Sequence, residues 1–167
     1  EYDGPAAVRY PRGAGFGVPL DPELKAIPVG ESELLRDGGD AVIVAYGTLV
    51  HPALEAAAEL AAEGISAAVL NARVAKPLDI DRIASLASRC GALLTVEEHS
   101  GMGGFGSAVL EALSAAGVVA ASRCLGVPDW VIEHGETQEI RHRLRLDSEG
   151  IAQAVRDLVR GSAAEKC

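Results

Sequence analysis

A chain of 167 residues, 49% of them hydrophobic and 4% aromatic, is long enough for one well-filled aliphatic core, and one layered α/β domain with a tail is the expectation. Its formal net charge of −9, with 15 basic residues that form no cluster of the kind nucleic acid or anionic membranes require, argues against both partners. No apolar run approaches the roughly 20 residues of a bilayer span, and Cys90, Cys124 and Cys167 are too far apart for a C-x-x-C pair, which suits a reducing cytoplasm.

In chain order, the first 30 residues hold five of the eight prolines and read mostly as connector, with AAVRY (6–10) having the composition of a short strand that Pro11 ends. A start without methionine points to a piece of something longer. From Ala41, AVIVAY reads as a strand buried on both faces, followed by a turn at Gly47 and a helix that Thr48 caps and Gly64 stops. ISAAVL (65–70) predicts a second strand. Asp79 is positioned to cap a helix with Ile80, Ile83, Ala84 and Ala87 on one stripe, and ALLTVE (92–97) predicts a third strand. Val109, Leu110, Leu113 and Ala116 mark another helix, 118–133 is less regular strand, and Ile151, Val155, Leu158 and Val159 define a last helix over 148–160. Strands alternating with helices predict a three-layer α/β fold, a mostly parallel sheet covered on both faces.

Between the third strand and its helix stands VEEHSGMGGFGSAV (96–109), with Gly101, Gly103 and Gly106 spelling G-x-G-x-x-G. Free N–H groups at a helix start attract anions, yet a dinucleotide site belongs after the first strand and needs an acid about 20 residues on, which is missing here. A tight corner or subunit contact built on Gly101, Gly103, Gly104 and Phe105 is the favoured reading, and a stand-alone anion or nucleotide module an alternative. Neighbouring residues of a strand point to opposite faces, so Glu97, Glu98 and His99 read as polar residues at an exposed strand end rather than an acid/base cluster. His51, His134 and His142 have no metal-ligand spacing. Asp40 with Asn71 imitates the Gly-Asp-Gly and asparagine pair of thiamine-diphosphate enzymes, but Asp40 precedes its strand and the third glycine is absent. Arg9 and Arg12 of RYPRG are placed to offer a guanidinium to a phosphate, against the alternative of ordinary surface arginines.

Taken together, GPAAVRYPRG, VIVAYGTLVHPALEAA, LNARVAKPLD, VEEHSGMGGFGSAV, LGVPDWVIEHG and LRLDSEGI resemble, over nearly the whole chain, the carboxyl-terminal part of the 1-deoxy-D-xylulose-5-phosphate synthase family. AYGT and the GGFG corner are shared with transketolases and with 2-oxoacid dehydrogenase beta subunits, which stand as alternatives; RYPRG, LGVPD with IEHG, and LD-x-EGI favour the synthase.

The resemblance implies the end of a pyrimidine-binding domain over 1–18, a linker over 19–36, a transketolase-type C-terminal domain over 37–161 and a tail over 162–167. It implies a homodimeric cytoplasmic enzyme that condenses pyruvate with D-glyceraldehyde 3-phosphate using thiamine diphosphate and Mg2+. Arg12, with Arg9 as the less favoured alternative, would meet the substrate phosphate. The cofactor motif, the activating glutamate and the substrate histidines of that family are not in these residues, so the segment alone is expected to be inactive and mainly structural, its partners being the N-terminal part of the enzyme and the dimer mate.

Overall fold

The computed structural model describes residues 3–11, 15–18, 22–23 and 25–164, with side chains to 161. Five strands, β1 (Glu33–Arg36), β2 (Ala41–Ala45), β3 (Ala67–Asn71), β4 (Ala92–Ser100) and β5 (Ala121–Val127), form one sheet in the order β1-β3-β2-β4-β5. All neighbours run parallel except β1, which closes one edge antiparallel to β3. The helices are α1 (Val50–Ala62), α2 (Ile80–Cys90), α3 (Phe105–Ala115), α4 (Thr137–Arg143) and α5 (Ser148–Ala164). The predicted α/β architecture with a mostly parallel, doubly covered sheet is the observed one.

The period of two decides which layer each strand residue joins. Ala41, Ile43 and Ala45 of β2, with Ala92, Leu94 and Val96 of β4, pack under α1 and α5. Val42, Val44 and Leu93 face α2 and α3. Every residue of β2 is buried, and withdrawing a Val or Ile side chain from water is worth about 1.5–3 kcal/mol. The side chains are small where helix meets strand: Ala53, Ala56 and Ala57 let α1 sit close against the sheet, which explains a core with so few rings.

The loops that close these units use mechanisms the composition only partly announces. Asp40, at the start of β2, accepts the Ser66 N–H at 2.7 Å and donates its own N–H to the Ser66 carbonyl at 2.9 Å, tying β2 to β3. Asp79 stands at the predicted cap position of α2, but it makes no capping hydrogen bond of normal geometry, and its carboxylate accepts the Ser32 N–H at 2.9 Å and hydroxyl at 2.6 Å. Burial pushes the Asp79 carboxyl up, and the Ser32 bonds, with the backbone N–H and the charge of Arg82, together carry it below its usual range. Thr48 does not cap α1; it lies in a 3-10 turn, Gly47–Leu49, that precedes the helix. Among the described residues, 5–11 form no strand and are exposed.

Thr95 carries the one orphan buried hydroxyl among the described residues: Oγ1 is out of solvent, without a partner, and faces the Cα of Gly106. An unpaired buried hydroxyl costs about 1–3 kcal/mol. Thr95→Val removes that penalty and is expected to raise the urea midpoint of unfolding by an amount worth about 1 kcal/mol at unchanged slope.

Candidate functional site: the carboxyl edge of the sheet

The parallel strands β3, β2, β4 and β5 all end at one edge, and β2 leads to β3 on one side while β4 lies on the other, so a topological switch point falls between β2 and β4. Open α/β sheets place their ligands there. In this chain the crevice is filled from within. Tyr46 donates its N–H to the Val96 carbonyl at 3.0 Å, and its ring stacks on Phe105 with centroids 5.1 Å apart and planes 16° from parallel. Thr48 donates its hydroxyl to Glu98 across the same gap.

Strand β4 continues its alternation past the core. Leu93, Thr95 and Glu97 share one face, which puts the Glu97 carboxylate beneath the first turn of α3. There it accepts the N–H of Phe105 at 2.8 Å on Oε2 and that of Gly106 at 2.7 Å on Oε1. Glu97 is 1% exposed, a correction to the reading of an exposed strand end; Glu98 and His99, by contrast, are exposed. The two orphan donors of the helix start, and the positive end of its dipole, are matched by a carboxylate that belongs to the protein.

The glycines of the corner serve that arrangement. A Cβ on Gly104 would stand 2.6 and 2.8 Å from the two Glu97 oxygens and press on the Ser100 carbonyl oxygen. One on Gly106 would meet Cys124 Sγ at 2.7 Å, so this glycine sets how closely α3 approaches β4 and β5. Gly103 adopts φ 68°, left-handed backbone that costs other residues energy. The remaining amides are also committed: Gly101 N–H to the Val127 carbonyl at 2.9 Å, Met102 N–H to Ser100 Oγ at 3.3 Å, and Gly103 N–H to Ser107 Oγ at 3.0 Å. With the amides of 101, 102, 103, 105 and 106 all donating within the chain, the corner has little left for a phosphate, and the anion-module reading loses its chemistry.

Adjacent Glu98 points the other way and holds a different element. Its Oε1 accepts Arg141 Nε at 2.6 Å and pairs with Nη2 at 2.5 Å, anchoring α4 to the sheet edge. The strand bulges here: residues 97–99 of β4 lie opposite Gly126 alone before pairing resumes at Ser100 with Val127. Such bulges re-aim side chains at sheet ends. The two adjacent glutamates thus act separately, each tied to one piece of the corner.

Of the phosphate-binding candidates, Arg9 lies in the exposed segment and makes no ion pair among the described residues; Arg12 lies outside the described residues. Asn71 accepts the Arg73 N–H at 3.1 Å, and Asp40 is engaged with Ser66, so neither half of the imitation cofactor motif is free to serve as one. No group of three His, Cys, Asp or Glu side chains that could hold a metal occurs among the described residues. His142 bonds Asp147 at 2.7 Å, and that carboxylate raises the imidazole above its ordinary range. A cavity of about 860 Å3 opens beside it between α4 and α5, but its lining mixes Arg143, Arg145 and Arg156 with Glu59, Asp147 and Glu149 and presents no single sign of charge. No described helix is long and apolar enough to cross a membrane.

A mostly parallel five-stranded sheet with helices on both faces and a carboxylate-capped α3 is an α/β domain of the transketolase type, and residues 30–151 match the family described as transketolase, C-terminal domain, to which the chain belongs. In sequence it is similar to 1-deoxy-D-xylulose-5-phosphate synthases: 52% identical over 163 residues to 1-deoxy-D-xylulose-5-phosphate synthase 1 of Geobacter metallireducens, covering 96% of this chain and 26% of that protein. The enzyme of Heliobacterium modesticaldum is 51% identical over 158 residues, covering 95% and 24%. The chain spans about a quarter of the length of the curated relatives it matches. Among solved structures, a split-gene transketolase in an inactive β4 tetramer superposes with TM-score 0.74 at 35% identity, over 84% of this chain and 45% of that one. Transketolase from Pichia stipitis in complex with sedoheptulose 7-phosphate shares the fold at TM-score 0.55 and 21% identity, over 81% of this chain and 19% of that one.

Proposed function

We propose that the chain is the carboxyl-terminal part of a thiamine-diphosphate- and Mg2+-dependent, homodimeric, cytoplasmic synthase. That enzyme joins pyruvate to D-glyceraldehyde 3-phosphate, releasing CO2 and forming 1-deoxy-D-xylulose 5-phosphate for isoprenoid and thiamine synthesis. The observation that carries the reading is identity of about half to named synthases across nearly the entire chain. The bound coenzyme supplies the carbanion stabilisation that such a condensation needs. The residues present supply a folded support: 37–161 as the C-terminal domain, 19–36 leading into it, and 1–18 as the end of the pyrimidine-binding domain. Within the corner, Gly103, Gly104 and Phe105 hold the loop in shape, and Gly101 lies beside the surface offered to the rest of the enzyme. Arg12 is assigned to the substrate phosphate, with Arg9 as the alternative.

The complete polypeptide, given both substrates, coenzyme and Mg2+, is expected to form deoxyxylulose phosphate and CO2, and the 167-residue chain alone to leave pyruvate intact. Arg12→Ala in the complete enzyme removes a charge-assisted fork worth about 1.5–3 kcal/mol, so KM for glyceraldehyde phosphate rises roughly 10- to 100-fold while KM for pyruvate stays within about twofold. Equal changes in both constants reject the assignment. The likeness at 35% to a split-gene transketolase favours one second reading, ketol transfer between sugar phosphates; formation of a new ketose phosphate from a ketose phosphate donor and an aldose phosphate acceptor, without CO2 release, would identify it.

A further inference from the structure

Among the described residues that carry a Cβ, two take left-handed backbone: Arg73 at φ 56° and Arg145 at φ 57°. Only glycine adopts that conformation without a steric cost. At Arg73 the side chain offsets it, because the guanidinium pairs with Glu33 of β1 at 2.6 Å. The Arg145 side chain has no ion pair and no hydrogen bond among the described residues. Arg145 follows the C-cap of α4, the position where helices most often place glycine. Its N–H donates to the His142 carbonyl at 3.0 Å, and the Leu146 N–H donates to the Arg141 carbonyl at 2.8 Å, the pattern of a helix end that turns left-handed. Gly150 of α5 closes on the same backbone; a Cβ there would stand 2.4 Å from the Arg145 carbonyl oxygen. The chain is thus clamped in the conformation that disfavours a side chain, and a long cation is placed there all the same.

That cation lines the cavity of about 860 Å3 between α4 and α5 together with Arg143, whose side chain also has no partner among the described residues. The mixed charge of the lining sorts itself once the internal pairs are set apart. Glu59 is held by Arg156 at 2.5 Å, and Asp147 by His142 at 2.7 Å and by the Gly150 N–H at 2.9 Å. Since Asp147 already occupies the start of α5, the helix end is not what an anion would meet. Two guanidinium forks and one carboxylate, Glu149, remain uncommitted. Such forks match the oxygens of a phosphate. The carboxylate beside them repels a bare phosphate but accepts hydroxyl donors, and the cavity has the size of a small-molecule site rather than of one ion.

We propose that Arg143 and Arg145 bind the phosphate group of a small hydroxylated phosphate ester whose remainder lies in the cavity against Glu149 and Gln153. This site is separate from Arg12 and Arg9 and does not depend on the reading of the complete enzyme. Amide and guanidinium resonances of the 167-residue chain, followed by NMR at low ionic strength, are titrated with glycerol 3-phosphate, inorganic phosphate and glycerol. The ester is expected to shift Gly150 and the Nε–H groups of Arg143 and Arg145 with a Kd of about 1 mM, inorganic phosphate to bind at least about fivefold more weakly, and glycerol to leave the spectrum unchanged. Arg143→Ala and Arg145→Ala should each weaken the ester at least about tenfold, and Arg12→Ala should leave its Kd within about twofold. Arg145→Gly separates a ligand-binding role from a structural one. It removes the strained Cβ along with the guanidinium, so the melting temperature should rise by about 2–4 °C while binding falls as in Arg145→Ala. Absence of ester binding, equal affinity for ester and inorganic phosphate, or loss of binding in Arg12→Ala instead overturns the inference. So does Arg145→Gly that keeps the parent affinity, or one whose melting temperature falls, since the side chain would then serve the fold.

Discussion

Gly104→Ala is expected to destabilise the domain by at least about 3 kcal/mol, although it adds a single methyl group. The added carbon would lie within 2.8 Å of both Glu97 oxygens and against the Ser100 carbonyl, and neither neighbour can yield. The carbonyl is backbone, and moving the carboxylate breaks its bonds to Phe105 and Gly106. For a domain of this size a loss of that order lowers the melting temperature by about 10 °C, read by circular dichroism. Gly101→Ala is the internal control: its Cβ would find its nearest neighbour at 3.8 Å, so the transition should stay within about 0.5 kcal/mol of the parent. Equal effects at the two positions would mean that loop flexibility, rather than the close approach of Gly104 to Glu97, explains the glycines.

The contrast shows which parts of this structure the letters carried. Continuous apolar runs announced β2, β3 and β4, because burial on both faces leaves no choice of residue type. Stripes at helical spacing announced α2, α3 and α5, whereas α1 was expected only from the turn before it and the glycine, Gly64, after it. Strand β1, ELLR, was missed inside what read as a linker: an edge strand pairs through backbone on one side only, so its side chains need no apolar pattern. Helix α4, TQEIRHR, buries none of its residues and is held by the Arg141 ion pair with Glu98, a contact 43 positions distant that no local pattern reveals. The AAVRY stretch has strand composition but no neighbour to pair with among the described residues, and a strand without a sheet is not stable. Glu97 was misread for a related reason. Its place in the alternation Leu93, Thr95, Glu97 pointed inward, but burying a carboxylate is costly unless donors await it, and those donors come from the helix start eight and nine residues later.

Glu97→Ala is expected to produce the second large effect, and a diagnostic one. Two buried N–H groups lose their acceptor at about 1–3 kcal/mol each, so a loss of about 3–5 kcal/mol follows. Glu97→Gln should lose roughly half as much, since the amide keeps one acceptor oxygen and turns its donor toward the other N–H. What distinguishes this site from an ordinary buried side chain is that the hole left by alanine has the shape of a carboxylate and the field of a helix start. Formate should therefore refill it: with a dissociation constant of about 10 mM, 0.1 M formate restores about 1.4 kcal/mol, or about 4 °C, to Glu97→Ala. Chloride at equal ionic strength should not, and neither salt should shift the parent protein in this way, because its seat is taken. A formate effect no larger than that of chloride would show that the amides of Phe105 and Gly106 do not form an anion seat once Glu97 is gone. A formate effect confined to Glu97→Ala would mean that one internal carboxylate separates this corner from the anion-binding loops whose glycine spacing it shares.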